Sequence, residues 1–425
     1  MKVKRRLYWF KTFEIVGLTN IDIEKKEYTM YNCSMILRLM AENYRSIEKV
    51  DIWFNKMNVL VGKNGAGKTT LISIIELVKE IASGKDINAI INEDSSRGGL
   101  FNVNVQKDNT RVELLLQTPD DQQYVYSFSI GVGSVGRDGA YYFSEESLCR
   151  KTEQGEDNVF ERDVKGNTIK VGPDRVSVPQ RVAGGVAVLS MFAQEQTRMI
   201  ADLLSSYSVI WLDGGVSNED GWTVISANDL DLSRVDDVAV GLYLKDASAF
   251  SEAVEQISEI IPGFEAPLIR KLPFDTDDNV TGASRVGYVV GWHDCDYAKT
   301  ATISSSSLSG GNSRVIYLIL SLYFSDAKSC FVAEEIENGM HAARLSILMD
   351  KLRMIGKNRK IQLFFTTHSH LILNDLLPME VILAKLGENG SEYVRLSDSS
   401  EYSEIVKDLG RQPTSKEIAE SGLVF

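Results

Sequence analysis

The sequence predicts an α/β fold built on a parallel sheet with crossover helices. Three observations carry that reading. An apolar strand at 57–61 runs into a glycine-rich turn and then a helix with one apolar face. In the last third, helix and apolar strand alternate twice more, and the strands end in polar residues. Between these regions neither a sustained heptad nor a fixed-period repeat is visible, so neither a long coiled coil nor a solenoid is expected. The 425 residues are about three times a ~150-residue domain, which allows one large domain with an insertion, or two domains. Apolar residues make up 44% and charged residues 25%, enough for a full core and unlike a disordered chain.

Taken in order, residues 36–44 and 50–54 alternate as strands should, and 57–61 is apolar throughout. Two short strands before a buried one are read as the opening of an α/β sheet. Residues 1–34 precede this set and are either an appended strand or an upstream extension, with Met35 where such a domain could begin. A helix follows Gly67. Residues 81–110 are polar and read as loops, 111–180 as short strands, and 186–207 and 246–261 as helices, the latter stopped by Pro262-Gly263. A serine run at 304–307 leads through Leu308-Ser309-Gly310-Gly311 into a strongly apolar helix. A strand at 329–333, a helix at about 342–354 and a strand at 361–365 complete the pattern. The expected organisation is an extension (1–34), an N-terminal lobe with the glycine-rich loop (35–80), an insertion that is β-rich and then helical (81–299), and a C-terminal lobe (300–425).

Composition excludes several classes. The net charge of −13 argues against a broadly basic nucleic-acid binder, although a local patch could hide under the average. The four cysteines (Cys33, Cys149, Cys295, Cys330) lie far apart with no CxxC, so no disulfide framework or zinc knuckle follows and a reducing cytosol is expected. Four histidines make a multi-histidine metal site hard to build. The basic start is followed too soon by Lys11 and Glu14 for a signal peptide. Nothing approaches the ~18 apolar residues of a membrane helix. A cytoplasmic protein is expected.

Four motifs carry chemistry. Gly62-Lys63-Asn64-Gly65-Ala66-Gly67-Lys68-Thr69 fits the P-loop pattern GxxxxGK[ST], followed by Thr70. Its glycines let backbone N–H groups turn inward around phosphates, Lys68 reaches the β- and γ-phosphates, and Thr69 offers a hydroxyl to Mg2+. Cys330-Phe331-Val332-Ala333-Glu334-Glu335 is an apolar strand ending in two carboxylates. In P-loop enzymes the first acid holds the metal shell, and the next orients the attacking water. Glu334 stands where that first acid is usually Asp, and Glu337 nearby keeps a solvated acidic strand end as the bland alternative. Ser309, Gly310 and Gly311 could cap the helix that follows or form a second anion site at its N-terminus. His368, in Thr367-His368-Ser369 at a strand end, could be structural or could sense a phosphate. His293-Asp294-Cys295-Asp296 reads as a polar turn, because no partner histidine lies at ligand spacing.

The ordered set of 62–69, 308–311, 330–335 and His368 resembles the ABC-type ATPases. Within them it is similar to the branch shared by RecF, SMC and Rad50 heads and the ATPase domain of OLD-family nucleases. The phrases Glu42-Asn43-Tyr44-Arg45-Ser46-Ile47, Glu335-Ile336-Glu337-Asn338-Gly339-Met340-His341 and Thr366-Thr367-His368-Ser369 resemble those of stand-alone OLD-like ATPases, such as the ATPase subunits of the Septu and PARIS antiphage systems. The resemblance covers about 35–400 and is strong in 36–75 and 300–375. It implies a P-loop ABC-ATPase head with a split core sheet, a mixed α+β insertion and no long coiled coil. It also implies ATP and Mg2+ as ligands, Thr69 and Glu334 at the metal, Glu335 as general base and His368 as switch residue. ATP would lie between the P-loop of one copy and residues 309–311 of another, in a homodimer or higher oligomer. Gln194 is the nearest candidate for a Q-loop glutamine.

Three relatives of this pattern fit less well. The interval from Lys68 to Ser309 is long for a transporter subunit. A true SMC or Rad50 protein needs a coiled-coil insertion. An OLD nuclease in one chain needs a Toprim domain, and too few residues follow His368 for one. Two classes of function remain: an ATPase switch with a separate effector, expected to be a nuclease, or a RecF-like repair and recombination ATPase that clamps duplex DNA; a third, blander option, kept open by Glu334 in place of Asp, is a nucleotide-gated scaffold with negligible turnover. The acidic total leans toward the first and leaves nucleic acid open as a ligand.

Overall fold

The computed structural model describes residues 34–93, 99–104, 109–133, 140–162, 168–172, 174–177, 184–192, 194–211, 224–227, 229–273, 286–293 and 302–422. The chain divides into two units, Met1–Tyr31 and Asn32–Phe425, and the fold below is that of the second. The 1–34 extension, except Ser34, and residues Asp294, Cys295 and Asp296 lie outside the described residues.

A six-stranded sheet runs in the order Ser208–Ile210, Cys330–Ala333, Gln362–Thr367, Met57–Val61, Val381–Leu386 and Ser391–Arg395. The first five strands are parallel and the last is antiparallel to its neighbour. Met57–Val61 lies near the middle and is buried at every position. It reads as a continuous apolar run because both faces of the sheet are covered. Val59, Val61, Ala333, Phe365 and Leu383 enter one core with the helices Val235–Lys245, Ala247–Ile260, Gly310–Phe324 and Ala342–Arg359. Leu60, Val332, Phe364 and Ile382 point the other way, into a core shared with the helix Lys68–Ala82 and a second sheet.

That second sheet is antiparallel and eight-stranded, ordered Ile47–Trp53, Met35–Tyr44, Asn109–Gln117, Gln123–Gly133, Ala140–Thr152, Gly155–Arg162, Thr168–Val171 and Asp174–Ser177. The first two strands therefore do not open the α/β sheet. They begin the antiparallel one, and the strands expected at 111–180 continue it. Alternation in Met35–Tyr44 reveals one buried face but not which sheet the strand joins. A small third sheet pairs Val286–His293 with Ile225–Ser226, Leu268–Pro273 and Thr302–Ile303.

Local departures have simple causes. The expected 81–110 loop contains the helix Ile87–Glu93, held by Ile87 and Ile90 one turn apart and both buried. The helix expected at 186–207 is two, Val188–Met191 and Glu195–Ser205. The helix starting at Ala342 runs to Arg359 and stops with Lys360 at φ 60°. At 18 residues it is the longest helix among the described residues, consistent with no long coiled coil. Among the described residues no helix is long and apolar enough to cross a membrane.

One side chain ties the two large sheets together. Gln362, at 1% exposure, begins the strand next to Met57–Val61. Its Oε1 accepts from the Ile36 N–H at 2.8 Å, and its Nε2 donates to the Ile36 and Asn55 carbonyls at 2.9 Å each. Two buried backbone groups, the N–H and carbonyl of Ile36, thus depend on an amide 326 residues away. Gln362→Leu should cost about 2 kcal/mol, since the Ile36 N–H and carbonyl lose the amide that pairs them, while the Asn55 carbonyl keeps its bond from Asn58 Nδ2. Urea unfolding measures this as a lower midpoint at unchanged slope, and a loss below about 0.5 kcal/mol would mean the backbone finds other partners.

Candidate nucleotide site

Parallel register decides which residues meet. Val61 pairs with both Thr367 and Leu383, and Ala333 pairs with Phe365. The next residues along three of these strands, Gly62, His368 and Glu334, therefore leave the sheet at the same carboxyl edge, while the strand Val381–Leu386 runs on beside them through Ala384. In open α/β sheets this edge is where ligands bind.

The P-loop turns here under tight constraint. A Cβ on Gly62 would lie 2.3 Å from the Ala384 carbonyl oxygen. Gly67 has φ 94°, and a Cβ there would lie 2.1 Å from Ser391 Oγ. Gly65 also adopts a left-handed φ of 79°. Tyr393 donates its hydroxyl to the Gly67 carbonyl at 2.7 Å. Asn64 and Gly65 are exposed, and Ala66 is buried, its N–H donating to the Lys63 carbonyl at 3.2 Å. Lys68 is 7% exposed, and its Nζ donates to the Gly62 and Lys63 carbonyls at 2.7 and 2.9 Å. Burial lowers its pKa, while the charges of Glu335, Glu337 and Glu334 act in the opposite direction. That opposition puts three carboxylates within electrostatic reach of one ammonium.

The helix Lys68–Ala82 starts from Gly67 with no side-chain cap, so its first N–H groups are left for an anion. Thr69 is exposed, whereas Thr70 is half-buried and accepts from Ser46 Oγ at 3.0 Å. Ser46 in turn accepts from Ser391 Oγ at 2.8 Å. Sequence reasoning had no role for Ser46. Its place beside the loop follows from the Tyr44-to-Ile47 turn of the antiparallel sheet, which no local pattern announces.

After the strand Cys330–Ala333 the chain bends sharply. Glu335 has φ 48°, rare for a residue with a Cβ and costing about 1–3 kcal/mol. Its N–H donates to Thr366 Oγ at 3.0 Å, which helps hold the bend, and its carboxylate accepts from Asn338 Nδ2. Glu334 is half-buried. Ile336 is fully buried, and Glu337 returns toward the neighbouring strand end at 8% exposure. Glu337 Oε1 accepts from the His368 backbone N–H at 2.7 Å and lies 3.1 Å from His368 Nδ1. In the sequence Glu337 read as a sign of a solvated acidic end, and the bend at Glu335 reverses that.

Ser309 caps the helix Gly310–Phe324, accepting from the Asn312 N–H at 3.4 Å, so the capping alternative is observed. Ser309 and Gly310 are nevertheless exposed. A Cβ on Gly311 would lie 2.4 Å from the Gly339 carbonyl oxygen, so glycine is needed there. Among the described residues no hydrogen bond joins 309–311 to 62–70. Gln194 is exposed at the start of the helix Glu195–Ser205, and His293 Nδ1 lies 4.0 Å from Glu265. Among the described residues no cluster of three His, Cys, Asp or Glu side chains could hold a metal by itself.

Comparison with known proteins bears on the family and the fold. Residues 57–374 match the family model described as "AAA domain, putative AbiEii toxin, Type IV TA system". A 44-residue stretch is 43% identical to the OLD nuclease of Thermus scotoductus, spanning 10% of this chain and only 8% of that nuclease. The structure of an SMC head bound to the C-winged helix domain of ScpA is 14% identical with a TM-score of 0.51, covering 84% of this chain and 97% of its own. A Pyrococcus furiosus SMC head with an extended coiled coil, bound to the C-terminal domain of ScpA, is 12% identical with a TM-score of 0.50, covering 89% of this chain and 100% of its own. At those identities the likeness is one of fold: an SMC head-like α/β ATPase fold. The family model spans three quarters of the chain and includes the P-loop, the carboxylates and His368, so this protein belongs to the family of AAA-domain ATPases that the model describes.

Proposed function

We propose that the protein binds and hydrolyses ATP as a nucleotide-gated switch, that it works as a head-to-tail pair, and that it acts through a separate effector nuclease in bacterial antiphage defence, as in systems of the Septu or PARIS type. The observation that carries the ATPase reading is the convergence of Lys68, Glu334, Glu335, Glu337 and His368 at one sheet edge. The family's AAA-domain description supports it. Paired working is supported by Ser309 and Gly310, exposed at the start of a buried helix and bonded to nothing in their own P-loop. The defence role is supported by a family description that names a toxin–antitoxin system and by the short match to a nuclease.

In this reading the inward N–H groups of Gly62, Asn64, Gly65, Ala66, Gly67, Lys68, Thr69 and Thr70 bind phosphate oxygens, and Lys68 neutralises them. Lys68 exchanges its two loop carbonyls for phosphate oxygens, a substitution favoured by its burial. Thr69 and Glu334 would hold Mg2+, which when bound neutralises charge developing on the phosphates. Glu335 Oε accepts the proton of the attacking water, and the Asn338 amide keeps that carboxylate in place. His368 registers the γ-phosphate at the neighbouring strand end. Residues 309–311 of a second copy close the site against water, so most of the catalysis is positioning and charge stabilisation.

Three variants test these roles. Lys68→Ala should abolish ATP binding in a calorimetric titration. Glu335→Gln should bind ATP but lose roughly 10²–10⁴-fold in turnover and accumulate as a closed pair by light scattering; unchanged hydrolysis removes the general-base role. Ser309→Arg should keep ATP binding and lose pairing and turnover, and a mutant that hydrolyses ATP normally contradicts the composite site.

A further inference from the structure

Glu337 is the third acid after the strand Cys330–Ala333, and none of the roles above uses it. It is an unusual surface acid because it is not on the surface: the residue is 8% exposed. One oxygen, Oε1, serves a single partner residue twice. It accepts the backbone N–H of His368 at 2.7 Å and faces His368 Nδ1 at 3.1 Å. The other oxygen, Oε2, is buried with no hydrogen-bond partner among the described residues. A buried carboxylate with one idle oxygen is costly.

The backbone is bent to bring this acid there. The left-handed turn at Glu335 sends Ile336 into the core and returns Glu337 toward the adjacent strand end. The turn continues with the Met340 N–H donating to the Glu337 carbonyl at 3.0 Å, which fixes the backbone from which the side chain departs. His368 follows directly on the strand paired in register with Met57–Val61, so its ring leaves the sheet beside the P-loop. Oε1 anchors the backbone of His368 by a hydrogen bond and stands 3.1 Å from its ring nitrogen. Backbone bracing alone needs only the first.

We propose that Glu337 is a positioning residue for His368: its carboxylate accepts the Nδ1 proton, fixes the ring's orientation and tautomer, and leaves Nε2 as the nitrogen that meets the nucleotide. The proposal deepens the switch reading of His368 and rests on it. A carboxylate behind an imidazole sets which ring nitrogen carries the proton, as behind many functional histidines.

Two measurements test it, and the first does not depend on turnover. The chain has four histidines. Selective ¹⁵N labelling of the full-length protein gives four ring signal sets, and His368→Asn identifies the one from His368. At about pH 8.5 the wild-type ring should carry its proton on Nδ1, and Glu337→Ala should shift it toward Nε2. An Nε2-protonated ring in the wild type overturns the proposal without any variant at Glu337. The second measurement is a double-mutant cycle on kcat with ATP affinity followed in parallel. Glu337→Ala should lose on the order of 10–100-fold in kcat with ATP affinity little changed. Glu337→Gln, which keeps an acceptor and the volume, should recover most of it. Combining Glu337→Ala with His368→Ala should be no slower than His368→Ala alone, because both remove the same action. Additive losses would show that Glu337 acts independently of His368 and sink the proposal. Failure of the switch reading looks different: His368→Ala would then hydrolyse ATP at the wild-type rate, while the ring of the wild-type protein still carries its proton on Nδ1.

Discussion

The candidate site depends on one constraint, the parallel register of Met57–Val61 with Gln362–Thr367 and of that strand with Cys330–Ala333. The P-loop, the carboxylates at 334 and 335 and His368 all follow directly from the ends of these strands. The register is held from both sides, because Val59 and Val61 serve one core and Leu60 the other. A slip of one residue would exchange those faces and bury the wrong side chains. The strand Gln362–Thr367 does two jobs at once. At its start Gln362 locks the antiparallel sheet through Ile36 and Asn55, and roughly 20 Å away its end delivers His368. The antiparallel sheet is therefore positioned relative to the P-loop by the same strand that ends at His368.

Support for the P-loop comes from outside it. The pair Val381–Leu386 and Ser391–Arg395 presses on Gly62 and Gly67, and Tyr393 satisfies a loop carbonyl. Burial pushes the Tyr393 phenol well above its ordinary pKa, so it stays protonated and remains a donor. Ser46, from the antiparallel sheet, bridges Ser391 and Thr70. Two of the three groups bracing the loop are thus hydroxyls from one strand of its own sheet, and the third belongs to the other sheet. Glycine at 62 and 67 is demanded by that crowding as well as by backbone angle.

Much of this was legible in the chain. The P-loop is local: spacing, a preceding apolar strand and a following helix all lie within a few turns. The carboxylates at 334 and 335 and His368 stand out because polar residues end strongly apolar strands. Glu337 and Ser46 were not legible as site residues, because their positions depend on a left-handed bend and on a contact between sheets. The same limit explains Met35–Tyr44. Its alternation declares a strand with one buried face, yet partner choice is settled by register with Asn109–Gln117, more than sixty residues on. The helix Ile87–Glu93 was hidden in a polar stretch because its three isoleucines, 87, 90 and 91, span little more than one turn.

The central claim of the functional account is that residues 309–311 complete the site of another copy rather than their own. The most direct measurement is specific ATPase activity as a function of protein concentration. A composite site predicts activity per molecule that falls toward zero on dilution and rises again when Lys68→Ala protein is added, since that variant still supplies Ser309, Gly310 and Gly311. Constant activity per molecule across the dilution, with no response to added Lys68→Ala protein, would contradict it.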